Sequence, residues 1–238
     1  MEYLQDANKF NRELNNIFIQ FEKKIPHLYK LSEFYLDNSN PNKTLKREFL
    51  FLRRSLGFIN SFLTVLLIPY SNKRNISKIE SDVLLVSPYL SKVNEKNFFF
   101  GDLETHFRNV NKITVDLRIY NGEPRLKEYL SYKENSNLNI LHLPNLNLKE
   151  NLLVFRDLLR TFKDISSTIN KERDPEKTKI LRLIRNRIFS RTNFFNFYLS
   201  AQLDNFIKKN KFKFALVTFD GSPWERIFCK KFKSLNKT

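Results

Sequence analysis

The sequence is poor in the residues that build covalent or metal-held scaffolds. It has one cysteine, Cys229, so neither an intramolecular disulfide nor a multi-cysteine zinc site can form. Such a chain suits a reducing compartment, and its expected location is the cytoplasm. The three histidines, His27, His106 and His142, lie far apart and show no metal-ligand spacing, so no metal site is expected. Only four glycines occur, Gly57, Gly101, Gly122 and Gly221, and they cannot be assembled into a Walker A loop or a G-x-G-x-x-G turn. Long apolar runs are also missing. The longest, Leu56 to Tyr70, is interrupted by Asn60, Ser61, Thr64 and Pro69, and a membrane-spanning helix needs about 20 apolar residues. No secretory signal is visible, because Met1 to Lys24 mixes charged and apolar residues at helical spacing.

Phenylalanine and positive charge are abundant. Of 238 residues 41% are hydrophobic, and 24 are Phe. This is enough for one α/β domain with an appended helical segment, or for two small domains. The formal net charge is +17, and residues 171–238 carry most of it, with 17 Lys/Arg against 6 Asp/Glu. A field of that sign concentrates phosphates, anionic lipids and nucleic acid; the plainer alternative is a solvated basic surface. Lys46, Arg47, Arg53 and Arg54 precede the Leu56–Tyr70 run, and Lys73 and Arg74 follow it. That pattern suits a helix lying against the inner face of an anionic membrane, with an ordinary buried helix as the alternative.

Two helices open the chain by periodicity. The first carries Leu4, Phe10, Leu14, Ile17, Phe18, Phe21 and Ile25 and stops near Pro26; the second starts near Thr44 and runs to about Ile68. Beyond Lys78 the pattern changes. Asp82–Ser87, Lys112–Tyr120, Leu138–Leu143 and Phe212–Phe219 read as strands. Between and after them, Gly101–Asn109, Pro124–Tyr132, the segment following Asn147, the segment following Asp174-Pro175, and Pro223–Phe232 read as helices. This alternation predicts an α/β fold, a Rossmann-like parallel sheet of about four strands with an N-terminal helical segment. The expected division is a helical segment over residues 1–78 and a Rossmann-like domain over 79–238.

Open α/β sheets bind ligands beyond the carboxyl ends of their strands. Two such ends carry suggestive residues. One is Ser87-Pro88-Tyr89, followed by Phe98-Phe99-Phe100-Gly101-Asp102-Leu103-Glu104; the other is Phe219-Asp220-Gly221-Ser222-Pro223-Trp224-Glu225-Arg226. In the second, Gly221 permits a sharp turn and Pro223 starts a helix whose free amides can hold an anion or a hydroxyl. Trp224, the sole tryptophan, offers a flat face for a sugar ring, and Glu225 is a candidate general base. The competing reading makes Trp224 a core plug and Glu225 a favourable first-turn acid. Cys229 reads as a packing residue rather than a nucleophile.

The run Val217–Arg226 resembles the [FY]-[ED]-G-x-x-W-E segment of bacterial surface-carbohydrate biosynthesis proteins, which are similar to GT-B glycosyltransferases. The Asp82–Tyr89 strand and Phe100–Leu103 also resemble that family's first strand and following helix. The likeness covers roughly residues 80–230, with Asp220 standing where Glu is usual. It implies an acceptor-binding half of a glycosyltransferase-like protein of surface-polysaccharide synthesis. In that half Glu225 and Asp220 would be the catalytic pair and Trp224 would stack on a sugar. Arg226 would pair with a phosphate, Gly221 and Ser222 would shape the turn, and Tyr89 and Asp102 would line the opposite side. The partner would be a glycan or lipid-linked acceptor. No cofactor is expected in this chain, because a nucleotide-sugar donor would belong to a second domain that the sequence after the motif does not supply.

Two further readings stand beside this one. Lys177, Lys179, Arg182, Arg185, Arg187 and Arg191, followed by Phe194, Phe195, Phe197 and Tyr198, could grip nucleic acid by phosphate contacts and stacking. The third possibility is a non-catalytic adaptor at a membrane surface.

Overall fold

The structure is a computed structural model describing residues 16, 19–31, 44–67, 79–88, 99–110, 112–119, 140–143, 145–218 and 222–235. Its elements are α1 (Thr44–Leu67), β1 (Glu80–Pro88), α2 (Leu103–Asn109), β2 (Thr114–Ile119), β3 (Ile140–His142), α3 (Leu148–Lys171), α4 (Pro175–Arg185), α5 (Arg191–Lys209), β4 (Lys211–Val217) and α6 (Pro223–Leu235), with a 3-10 turn at Leu28–Lys30. The protein is α/β with an open, parallel sheet in the order β3-β2-β1-β4. All four expected strands form: β1 is longer than expected at both ends, β2 and β3 are shorter, and β4 starts one residue earlier and ends sooner. The expected helix over Pro124–Tyr132 lies outside the described residues.

The helix starts follow from their first residues. Asn147 and Glu150 close a reciprocal capping box at the start of α3: Glu150 N–H donates to Asn147 Oδ1 at 2.9 Å, and Asn147 N–H donates to Glu150 Oε2 at 2.7 Å. The Asp174 carboxylate accepts from the Glu176 and Lys177 amides, with Pro175 at the first helical position of α4. Residues 186–190 interrupt the helical path, so α4 and α5 are separate elements.

The chain divides into two compact units, residues 1–63 with 151–197, and residues 64–150 with 198–238. An amphipathic helical segment must bury its stripe against other helices, and here residues 151–197 supply them. In this helical unit Phe58 stands at the centre. Its ring lies 5.6 Å from Phe189 and 5.6 Å from Phe194, both edge-on, and 6.2 Å from Phe155. Val154, Leu158, Ile165, Ile180, Leu181, Ile184 and Ile188 are buried in the same unit.

In the sheet unit, β1 is buried almost throughout, as its continuous apolar run Val83–Val86 requires, and β2 is buried to a similar extent although Asp116 and Arg118 lie within it. Asn210 fixes the junction between α5 and β4: its Nδ2 donates to Phe206 O at 2.7 Å, and its Oδ1 accepts from Ile79 N–H at 2.8 Å. That pair of bonds sets the start of β4 beside the start of β1.

Candidate functional site

The chain first runs β1 to β2 to β3 in one direction across the sheet, then returns to place β4 on the other side of β1. The order therefore reverses between β1 and β4, which is where open α/β sheets form their crevice. The two strand ends selected from sequence are these two. Val86 pairs with Val217, and Thr218 N–H donates to Val86 O at 3.1 Å. Ser87 and Pro88 thus end beside Val217 and Thr218, and α6 begins at Pro223, five residues beyond Thr218.

The residues singled out in this region divide into several groups. Tyr89, Asp220 and Gly221 lie outside the described residues. Ser222 and Glu225 form part of a capping box: Ser222 N–H donates to Glu225 Oε2 at 3.1 Å, and Glu225 N–H reaches Ser222 O at 3.2 Å. Glu225 is only 2% exposed, and this capping contact engages one of its carboxylate oxygens. Trp224 is 1% exposed, so its ring is core and presents no open face for stacking on a sugar; among the described residues its Nε1 has no hydrogen-bond partner. The packing and capping reading describes both side chains, because Pro223 starts the helix directly and turns the next two residues inward. Arg226 is half-buried, and Asp102 is exposed just before α2. Gly101, next to Asp102, has φ +50°, a left-handed conformation that favours glycine.

Cys229 corrects its sequence reading: it is exposed on α6 rather than packed. Partial desolvation, and then the Glu225 carboxylate one turn back, push its thiol above the ordinary range, so it remains a poor nucleophile.

A second set of polar residues lies at the same end of the sheet, and two of its members, Asp116 and Arg118, fall outside the strand-end segments singled out from sequence. The ladders place Ser87 beside Arg118 and Arg118 beside His142, and continuing the β1–β4 register sets Thr218 beside Ser87. Equivalent positions of parallel strands face one side of the sheet. Thr218, Ser87 and Arg118 therefore make a polar row across β4, β1 and β2. Two residues back on β2, Asp116 Oδ2 accepts from Arg118 Nε at 3.2 Å, with the two side chains 7% and 11% exposed. The signal for this pair is a charged i, i+2 couple inside an otherwise apolar strand.

The helical unit offers a different surface. On α1, Leu56 is 64% exposed, and Ile59 and Leu63 are exposed on the same stripe, while Phe58 and Ser61 face inward. On α3, Leu152 is 53% exposed, and Leu159 with Arg156, Arg160 and Lys163 is also exposed. The two helices meet at Phe62 and Phe155, whose rings are 5.4 Å apart. The described part of the Leu56–Tyr70 run, residues 56–66, is thus part core and part surface. On α4, Lys179 and Arg182 are exposed, but Phe194, Phe197 and Tyr198 of α5 are buried. Of the aromatics expected to stack on bases, these three are core residues and Phe195 is half-buried. Among the described residues no helix is long and apolar enough to cross a membrane, and no group of three or more His, Cys, Asp or Glu could hold a metal ion.

Comparison with protein-family models, with curated proteins and with solved structures found no match to this chain.

Proposed function

We propose that the chain is a Rossmann-like domain of a glycosyltransferase-like protein of surface-polysaccharide synthesis, binding the glycan or lipid-linked acceptor at the carboxyl ends of β1 and β4. The observation that carries this reading is the adjacency of Val86–Pro88 and Val217–Thr218 where the strand order reverses. The resemblance of Val217–Arg226 to the surface-carbohydrate proteins supplies the substrate class. Within this reading Trp224 and Glu225 shape the site by fixing the start of α6, and Arg226 and Ser222 stand at its rim.

A second reading is favoured by the outer face of α1 and α3. Exposed leucines and isoleucine beside Arg156, Arg160 and Lys163 suit contact with an anionic bilayer. It fits a cytoplasmic protein lying peripherally on the inner membrane, either as the enzyme's docking surface or as a non-catalytic adaptor.

Equilibrium binding to nanodiscs tests both. Discs of one anionic lipid mixture are prepared with and without a polyprenyl-phosphate-linked oligosaccharide. The acceptor reading requires tighter binding to the discs that carry the saccharide. Equal binding to both overturns it and leaves the surface reading, which in turn requires affinity to fall as salt rises, since exposed charges are screened within about 10 Å at 0.1 M salt.

A further inference from the structure

The polar row at the carboxyl end of the sheet is costly in a domain of this kind. A charge pair that is 7% and 11% exposed brings little net stability, because desolvation offsets its attraction. Among the described residues Asp116 is the side chain that holds Arg118, and it does so through Nε alone. Among the described residues the outer edge of the guanidinium, its two Nη nitrogens, has no partner and is open to bond something else. That fork of donors matches phosphate oxygens in a bidentate manner. One strand over is Ser87, 2% exposed, and one strand further is Thr218, whose buried Oγ1 has no hydrogen-bond partner among the described residues. A buried hydroxyl without a partner is uncommon and calls for an explanation. From Thr218 to Arg118 the row spans two strand spacings, about 10 Å.

We propose that this row is a phosphate-binding subsite, in which Arg118 takes the phosphoryl oxygens of a diphosphate or phosphate ester and the Ser87 and Thr218 hydroxyls complete its shell. Asp116 acts as a positioning residue that fixes the Arg118 side chain. The assignment rests on the reading that this end of the sheet binds a ligand, and it adds the chemical group recognised there. Both sources of that group, a nucleotide and a lipid-linked sugar, present the same oxygens.

The test is calorimetric titration of the intact chain with inorganic pyrophosphate at fixed salt. Saturable binding is expected, weakened by about tenfold or more in Arg118→Gln, which removes a charge-assisted bond. Thr218→Val is the sharper variant. Its melting temperature should stay level or rise, since the lost hydroxyl had no partner, while pyrophosphate affinity falls several-fold. If Arg118→Gln does not fold, the double variant Arg118→Gln/Asp116→Asn removes the charge left behind and takes its place. Wild-type protein that shows no saturable binding, or binding that survives all these variants, overturns the subsite. If the saccharide nanodiscs still bind in that case, the acceptor reading stands without it. Uridine diphosphate and farnesyl diphosphate are then compared with pyrophosphate. A gain with the first supports the subsite with a nucleotide source, and a gain with the second supports it with a lipid source.

Discussion

The helical unit and the sheet unit bury their apolar residues in opposite ways. In the helical unit phenylalanines pack ring against ring around Phe58, and leucines are left outside beside arginines. In the sheet unit β1 is apolar on both faces over Val83–Val86, and charged or hydroxyl side chains are found inside: Ser87, Asp116 and Arg118. Exposed clustered leucines and buried polar groups are the two features that packing alone does not explain. In the reading proposed above, the leucine stripe of α1 and α3 is the contact surface and the polar row at the strand ends is the ligand site.

The largest expected effects test whether each unit depends on the ring placed in its core. Trp224→Ala and Phe58→Ala should each cost roughly 3–5 kcal/mol in denaturant unfolding, as for other buried aromatics. Trp224→Phe should cost less than Trp224→Ala, since it also deletes the unpartnered indole N–H. A mild loss for Trp224→Ala would mean that the ring has an open face after all, and would return it to the ligand site.

A smaller effect separates capping from catalysis at Glu225. Removing the capping-box partner in Glu225→Ala should lower stability by about 1 kcal/mol. Glu150→Ala, at the matching position of α3, should cost at least as much, because Glu150 also accepts from Asn205 Nδ2 at 2.8 Å. Saccharide binding by Glu225→Ala, measured where both proteins are fully folded, should be close to that of the wild type. A large loss of binding at unchanged stability would give Glu225 a direct role.

The smallest effect lies at the amino end of the sheet. The Lys213 ammonium, 2.6 Å from the carboxylate, and then the Ile113 N–H hold Asp82 below the usual aspartate range. A depressed folded pKa gives stability that is present above the unfolded value and lost as pH falls through the folded one. Carbon-13 titration of the Asp82 carboxyl should therefore show a midpoint below that of a free aspartate, and Lys213→Met should raise it. An unchanged midpoint in that variant would remove Lys213 as the cause.

Much of the fold was legible because its signals are local. The runs at Asp82–Ser87 and Phe212–Phe219 are too short and apolar to be surface helices, and Asn147…Glu150 and Asp174-Pro175 announce their helices through capping chemistry. The side-by-side placement of β1 and β4 was foreshadowed only as two interesting loops, since strand order is a long-range property. The candidate site was less legible. Trp224 and Glu225 stand at a position where a ligand residue and a core residue look alike in sequence, and only burial separates them. Ser87, Arg118 and Thr218 are 31 and 100 residues apart along the chain and meet through ladder register. Cys229 fell on the opposite side from its reading because Phe228, its neighbour, takes the inward position on α6.

Hydrogen–deuterium exchange of the intact chain on anionic nanodiscs, with and without the lipid-linked saccharide, tests the division of labour most directly. Lipid alone should slow exchange over residues 56–63 and 152–163. The saccharide should add protection at residues 84–88, 215–218 and 222–227. Saccharide-dependent protection confined to the helical unit, with the strand ends unchanged, would contradict the account.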